Sequence, residues 1–390
     1  MTLSIRPQIE HLRDSPIVEV WRLGFQVADV IGLWAGEVDV PTPRFICDAA
    51  YKALLEGKTF YTHKRGISEL RAALQRYHRR LWNVELADER IAVTSAGMNA
   101  VMLICQTVIQ PGDNAVFVTP TWPNVERAAE VQGAEVREVA MRSGEDGWVL
   151  DLQQLFDRCD ARTRLIYYAS PGNPTGWTIP PGQQRALLDF ARRRGIFLLA
   201  DEVYHRFVYN CPVAPSILQS AHDDDPVFVV NSFSKAWAMT GWRLGWMVYP
   251  RELAMPFEKL IEYNTSGGQP FLQEAGIVAL DDGDPFVAEL VERSRRGRDL
   301  VIERLQRMPG VRVTSCQAAF YVMFEIDGIA DTLAFCKQLV TEARVGLAPG
   351  AAFGAGAEGK IRLCYAKTEA NLVRAMDRLE AFLATTRHRR

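Results

Sequence analysis

Between about residues 91 and 250, short uninterrupted apolar runs alternate with longer stretches whose apolar residues recur at helical spacing. IAVTSAG leads into the helical stretch NAVMLICQTVI, and PGD turns the chain into AVFVTP. RLIYYASPG, the helix GQQRALLDFARRRG, IFLLADE and VFVVNSFS repeat the theme. Apolar runs without alternation belong to strands covered on both faces, so the pattern predicts a mostly parallel sheet flanked by helices. The polar residues sit just past the strand ends, at Ser95–Gly97, Ser170–Asn173, Asp201 and Ser232–Lys235. In an open α/β sheet that edge is the ligand crevice.

After about residue 270 the pattern changes. A charged helical stretch, Pro285 to Met308, precedes the strand VRVTSCQAAFYVMFEI, a helix over Asp331–Glu342, APGAAFG, the strand KIRLCYA and a final helix. We read an α/β chain with a large domain at 41–284. A smaller α+β domain combines 1–40 with 285–390.

Composition narrows this further. The 390 residues exceed one ordinary small core, and 48% apolar with 24% charged residues is the make-up of a soluble globular protein. A net charge of −2 gives no field favouring nucleic acid or an anionic membrane. The apolar runs Ile196–Ala200 and Val227–Val230 are strand-length, far short of a membrane span. MTLSIRPQIEHLRDS has no apolar core of signal type, so a cytoplasmic setting is expected. The seven cysteines (47, 105, 159, 211, 316, 336 and 364) are scattered with no CxxC pair, which fits reduced thiols and no metal site.

Candidate chemistry centres on SFSKAWAMTGWRLGW, where Lys235 stands among small and aromatic residues with no further charge until Arg243. A buried lysine has a lowered pKa and needs either a carboxylate partner or a use for its amine. Taken singly, the other motifs have ordinary readings. SAGMNAV is an anion site at a helix N-terminus or a plain turn. SPGNPTG is a loop, Asp201 in LLADEVY is a catalytic acid or a helix cap, and Tyr204 is functional or core. Together they supply an anion site, a carboxylate, hydrogen-bond donors, an amine and a guanidinium. Those parts hold a pyridine ring bearing a phosphate, a phenolic oxygen and an aldehyde.

In order and spacing, SAGMNAV, TPTW, SPGNPTG, DEVY, SFSKAWAMTGWRLGW, APGAAFG and IRLCYA resemble the class I/II aminotransferases, fold type I enzymes dependent on pyridoxal 5'-phosphate. The resemblance runs from LWAGEVDVPTP to KIRLCYAKTEANL. It implies that Lys235 carries the cofactor as a Schiff base and shuttles the substrate proton, and that Asp201 faces the pyridine nitrogen. It implies Asn173 and Tyr204 on the phenolic oxygen and Trp122 on the ring face, with core packing the other reading of Trp122. The phosphate falls to the amides of Ala96, Gly97 and Met98, the hydroxyls of Ser232 and Ser234, and Arg243. Arg362 takes the substrate carboxylate, and Gly36 closes over it with its backbone. Tyr61 reaches the phosphate of a neighbouring subunit, which implies a homodimer with shared sites; otherwise it is core or rim.

The reaction so implied moves an amino group from an L-amino acid to a 2-oxo acid. The same fold also serves C–S β-lyases, the alternative activity. A non-enzymatic amino-acid sensor of this type carries a DNA-binding module in front, and about thirty residues precede the first motif here without a helix-turn-helix pattern. Aspartate-using members carry a lysine where this chain has Met98, and methionine cannot meet a distal carboxylate. His63, Lys64 and Arg65 are either a solvated face or a replacement cation at the rim of the neighbouring site.

Overall fold

The computed structural model describes residues 4–144 and 146–387. Its centre is a seven-stranded sheet. The strands are β1 (Ile91–Thr94), β2 (Asn114–Thr119), β3 (Glu135–Ala140), β4 (Thr163–Ala169), β5 (Phe197–Asp201), β6 (Val227–Ser232) and β7 (Gly245–Val248). Their order is β1-β7-β6-β5-β4-β2-β3. All neighbours run parallel except β7, which is antiparallel to both β1 and β6. Every residue of β1, β2, β6 and β7 is buried, as the lack of alternation in the sequence requires.

The longer helices before residue 284 are, in chain order, α1 (Pro16–Gly24), which packs on the C-terminal part of the chain, and α2 (Arg44–Leu55), α3 (Ser68–Trp82), α4 (Gly97–Val108), α5 (Asn124–Val131), α6 (Pro181–Arg194), α7 (Ala254–Thr265) and α8 (Pro270–Asp282). Helix α6 shows how local signals set an element. Pro181 opens it, and Gly195, in the left-handed region at φ 63°, ends it and frees the chain to enter β5.

The C-terminal part holds α9 (Asp284–Arg307), α10 (Thr332–Gln338) and α11 (Glu369–Arg387) around a four-stranded antiparallel sheet. Its strands are β8 (Val311–Thr314), β9 (Tyr321–Ile326), β10 (Ala348–Pro349) and β11 (Lys360–Cys364), in the order β8-β9-β11-β10. Here the expected single strand VRVTSCQAAFYVMFEI is corrected. It is two strands, β8 and β9, folded back on each other with Val311 opposite Ile326 and Thr314 opposite Met323. Ala319, at φ 56°, lies in the connecting stretch. An apolar run cannot announce a reversal that small residues make without a glycine. The helix expected over Asp331–Glu342 begins on an Asp331 cap, whose carboxylate accepts from Ala334 N at 2.9 Å, and loosens into a π turn over Leu339–Ala343.

The N-terminal segment runs along this smaller sheet. Ile31–Gly32 pairs in parallel with Val345–Gly346, and Leu33 O accepts from Cys364 N at 2.9 Å. No helix among the described residues is long and apolar enough to cross a membrane.

Candidate active site

At the C-terminal ends of β4, β5 and β6 the two sheets enclose a cavity of about 260 Å³. Gly36, Trp122, Asn173, Asp201, Tyr204, Lys235 and Arg362 all line it. Lys235 follows β6 in the one-turn helix Phe233–Ala236, which Ser232 caps by accepting from Ser234 N at 3.1 Å. Its Nζ donates to Gly36 O at 2.5 Å and lies 5.7 Å from the centre of the Tyr204 ring. The side chain keeps some access to the cavity, but its apolar and aromatic surroundings push the amine down to about 8.

Asp201, the last residue of β5, is nine-tenths buried. Burial raises its pKa against hydrogen bonds from Val203 N at 3.2 Å and the Tyr167 hydroxyl at 3.1 Å. Lys235 is the cation that acts on it. Arg362, on β11, is almost wholly buried. Its Nη1 donates to Asn173 Oδ1 at 2.9 Å and its Nη2 to Trp34 O, while Nε has no partner among the described residues. The guanidinium lies over the rings of Tyr321 and Phe353, at 4.6 and 4.8 Å.

The other expected residues form a second group beside the cavity. Ala96, at φ 94°, turns the chain from β1 into α4. In β7, Gly245 stands between Thr94 and Ser232 in register. A Cβ on Gly245 would lie 2.7 Å from Gly97 N and 2.8 Å from the Ala96 carbonyl carbon, so only glycine lets this turn sit against Ser232. Ser232 Oγ donates to Ser234 Oγ at 2.9 Å. Met98 is half-buried in the first turn of α4 and does not line the cavity. Arg243 is exposed, left-handed at φ 53°, with Nη1 on Thr240 O at 2.5 Å.

Tyr61 stands apart, 88% exposed, on a separate cleft formed with residues 265–271. The neighbouring cations are not one solvated face. Arg65 is buried, bonded to Asp88 O at 2.7 Å and paired with Asp88 and Glu258, each at 3.4 Å. Lys64 bonds Ser266 O at 3.2 Å and lies over the Tyr61 ring.

Several site residues were not legible in the sequence. Tyr321 lines the cavity from β9 and shares a 2.6 Å hydrogen bond with Tyr204, and Tyr167 supports Asp201. Trp34 meets Arg362 through its carbonyl, and Ile17 closes one wall from α1. All four are apolar or aromatic residues in runs that read as core. Only the order SPGNPTG–DEVY–SFSKAW marks the edge they face.

The donor set suits pyridoxal phosphate. A buried carboxylate at a strand end would accept a cationic ring nitrogen, an amine of lowered pKa lines the same cavity, and the amides and hydroxyls after β1 and β6, with Arg243 just before β7, would take a phosphate.

The sequence profile of aminotransferase class I and II matches residues 28–379. The aspartate aminotransferase of Pyrococcus horikoshii is 33% identical over 375 residues, 95% of each chain. Among solved structures, Thermus thermophilus aspartate aminotransferase with maleate superposes with a TM-score of 0.90 at 31% identity, covering 97% of this chain and 100% of that one. The aromatic aminotransferase of Pyrococcus horikoshii gives a TM-score of 0.87 at 30% identity, over 94% and 99%. The chain thus belongs to the class I and II aminotransferases, fold type I enzymes that use pyridoxal phosphate to move an amino group from an amino acid to a 2-oxo acid.

Proposed function

We propose that this aminotransferase takes L-amino acids with neutral or apolar side chains in preference to aspartate, with 2-oxoglutarate or pyruvate as acceptor. The observation that carries this reading is the cavity wall. Among the described residues, Arg362 is the one cation beyond Lys235 that lines it, and Ile17, Trp34, Trp122, Val203 and Tyr321 make up much of the rest. A second substrate carboxylate buried there without a partner would cost several kcal/mol, roughly a thousandfold in efficiency. Met98 brings no charge to offset it.

Bound pyridoxal phosphate supplies an electron sink for the substrate α-carbon. The residues do the rest. Lys235 Nζ would be the amine that holds the cofactor, and it is placed to move the proton at the substrate α-carbon. Asp201 would hold a proton on the ring nitrogen. Asn173 has its Oδ1 engaged by Arg362, which leaves its Nδ2 to donate to the phenolic oxygen beside Tyr204. Trp122 would cover the ring. The amides of Ala96, Gly97 and Met98, with Ser232, Ser234 and Arg243, would hold the phosphate. Two of the five guanidinium N–H groups of Arg362 are engaged, and the other three are left for the substrate carboxylate.

A homodimer with Tyr61 reaching the partner's phosphate fits the exposure of Phe60, Tyr61 and Tyr263, each more than 80% accessible. The pairing of Ile31–Gly32 with Val345–Gly346 favours the division into 41–284 and a unit of 1–40 with 285–390. Seven unpaired cysteines favour a cytoplasmic setting.

Steady-state kinetics with alanine, methionine, phenylalanine and aspartate test the donor class. An aspartate preference of about tenfold or more that Lys64→Ala abolishes would overturn it. Recovery of the cofactor's starting spectrum with release of a 2-oxo acid and ammonia would favour β-elimination instead.

A further inference from the structure

We infer that Asp39 is a positioning residue that holds Gly36 over the lysine amine from outside the cavity. The segment from Leu33 to Asp39 is suspended between two anchors. At one end Leu33 is bonded to Leu347's neighbour Gly346 and to Cys364, through Leu33 N to Gly346 O at 2.7 Å and Cys364 N to Leu33 O at 2.9 Å. At the other end the Asp39 carboxylate is gripped three ways. Oδ2 accepts from Thr368 N at 2.7 Å and from Asn371 Nδ2 at 3.1 Å, and Oδ1 pairs with Arg293 of α9. Thr368 immediately precedes α11, so Asp39 caps that helix from 329 positions away in the chain. The amide, Asn371 and Arg293 outweigh partial burial and hold the carboxyl below its usual range.

Between these anchors the segment turns two carbonyls toward the site, Trp34 O to Arg362 and Gly36 O to Lys235. Trp34 directly follows the Leu33 anchor and is held by it. Gly36 is followed by Glu37, whose ties outside the segment are long, Cys364 Sγ to its carbonyl at 3.9 Å and Thr240 Oγ1 to its carboxylate at 3.4 Å. A Cβ on Gly36 would lie 1.8 Å from the Tyr321 hydroxyl, so its path leaves no slack. The firmest restraint on the far side is the three-way grip on Asp39. The inference rests on the roles read above for Lys235 and Arg362.

Hydrogen exchange of the amides of residues 34–38, with and without cofactor, and steady-state kinetics of the loaded enzyme test it in Asp39→Ala, Asp39→Asn and Arg293→Ala. Arg304→Ala is the control, because Arg304 pairs with Asp377 and Glu380 across the same two helices without touching the segment. In Asp39→Ala, exchange at 34–38 should rise about tenfold or more. The kcat/KM should fall about tenfold or more, mainly through KM, with kcat within about threefold. Asp39→Asn keeps an acceptor for Thr368 N and should fall between. Should Asp39→Ala fail to fold, the same ordering is read from Asp39→Asn and Arg293→Ala. Unchanged exchange and KM, or equal effects in Arg304→Ala, would overturn the inference. Because exchange does not depend on the donor, its result stands apart from any failure of the substrate reading.

Discussion

The hydroxyls of Tyr204 and Tyr321 lie 2.6 Å apart, joining the end of the large parallel sheet to the second strand of the small antiparallel one. Both are buried, and burial raises both phenols, so each stays neutral and one donates to the other. The pair fixes the Tyr204 ring beneath the lysine amine. Tyr204→Phe and Tyr321→Phe should each lower kcat/KM, and the double variant should lose less than the sum. A double-mutant cycle should give a coupling of about 1 kcal/mol. Full additivity would mean that Tyr321 acts independently of Tyr204.

Gly36→Ala places a methyl group against the Tyr321 hydroxyl, with 1.8 Å between them before any movement. The substitution should destabilise the protein by about 1–3 kcal/mol and raise KM. Combining it with Tyr321→Phe removes the clashing oxygen and should recover part of both losses. Thermal unfolding and substrate titration of the three variants check this. No recovery would locate the clash elsewhere.

Burial penalises the charged form of Lys235, so as pH rises the amine loses its proton early, near 8 instead of 10.5. In cofactor-free protein, competitive acylation of Lys235 should rise with a midpoint near 8, while exposed lysines remain protonated there. Lys235→Ala should retain the wild-type circular dichroism and lower turnover by more than about a thousandfold. A labelling midpoint near 10.5 would remove the physical basis for the assignment.

The proposed reach of Tyr61 into a partner's site is tested by complementation. Mixed dimers of Lys235→Ala with Tyr61→Phe chains should regain activity, since one of the two sites then holds both groups intact. Dimers of Lys235→Ala with Arg243→Ala chains should regain none, because those two groups belong to one chain. No recovery in either mixture would place Tyr61 and Lys235 on the same side.

Much of this molecule is determined locally. Unbroken apolar runs dictated the parallel sheet, because a strand covered on both faces has no polar positions to alternate. Polar residues directly after those runs marked the edge where Asn173, Asp201 and Lys235 now meet in one cavity. Tertiary structure decided the rest. Tyr167, Tyr321 and Trp34 look like core in the chain, since an aromatic ring packs whether or not its hydroxyl or backbone meets the site. Arg65 reads as one of three surface cations, yet Asp88 and Glu258, distant in sequence, bury it. Asp39 gives no sign that its partners lie at residues 293, 368 and 371. Hydrophobic periodicity is a property of neighbours along the chain, whereas the pairing of a charge or a hydroxyl depends on what folding brings opposite it.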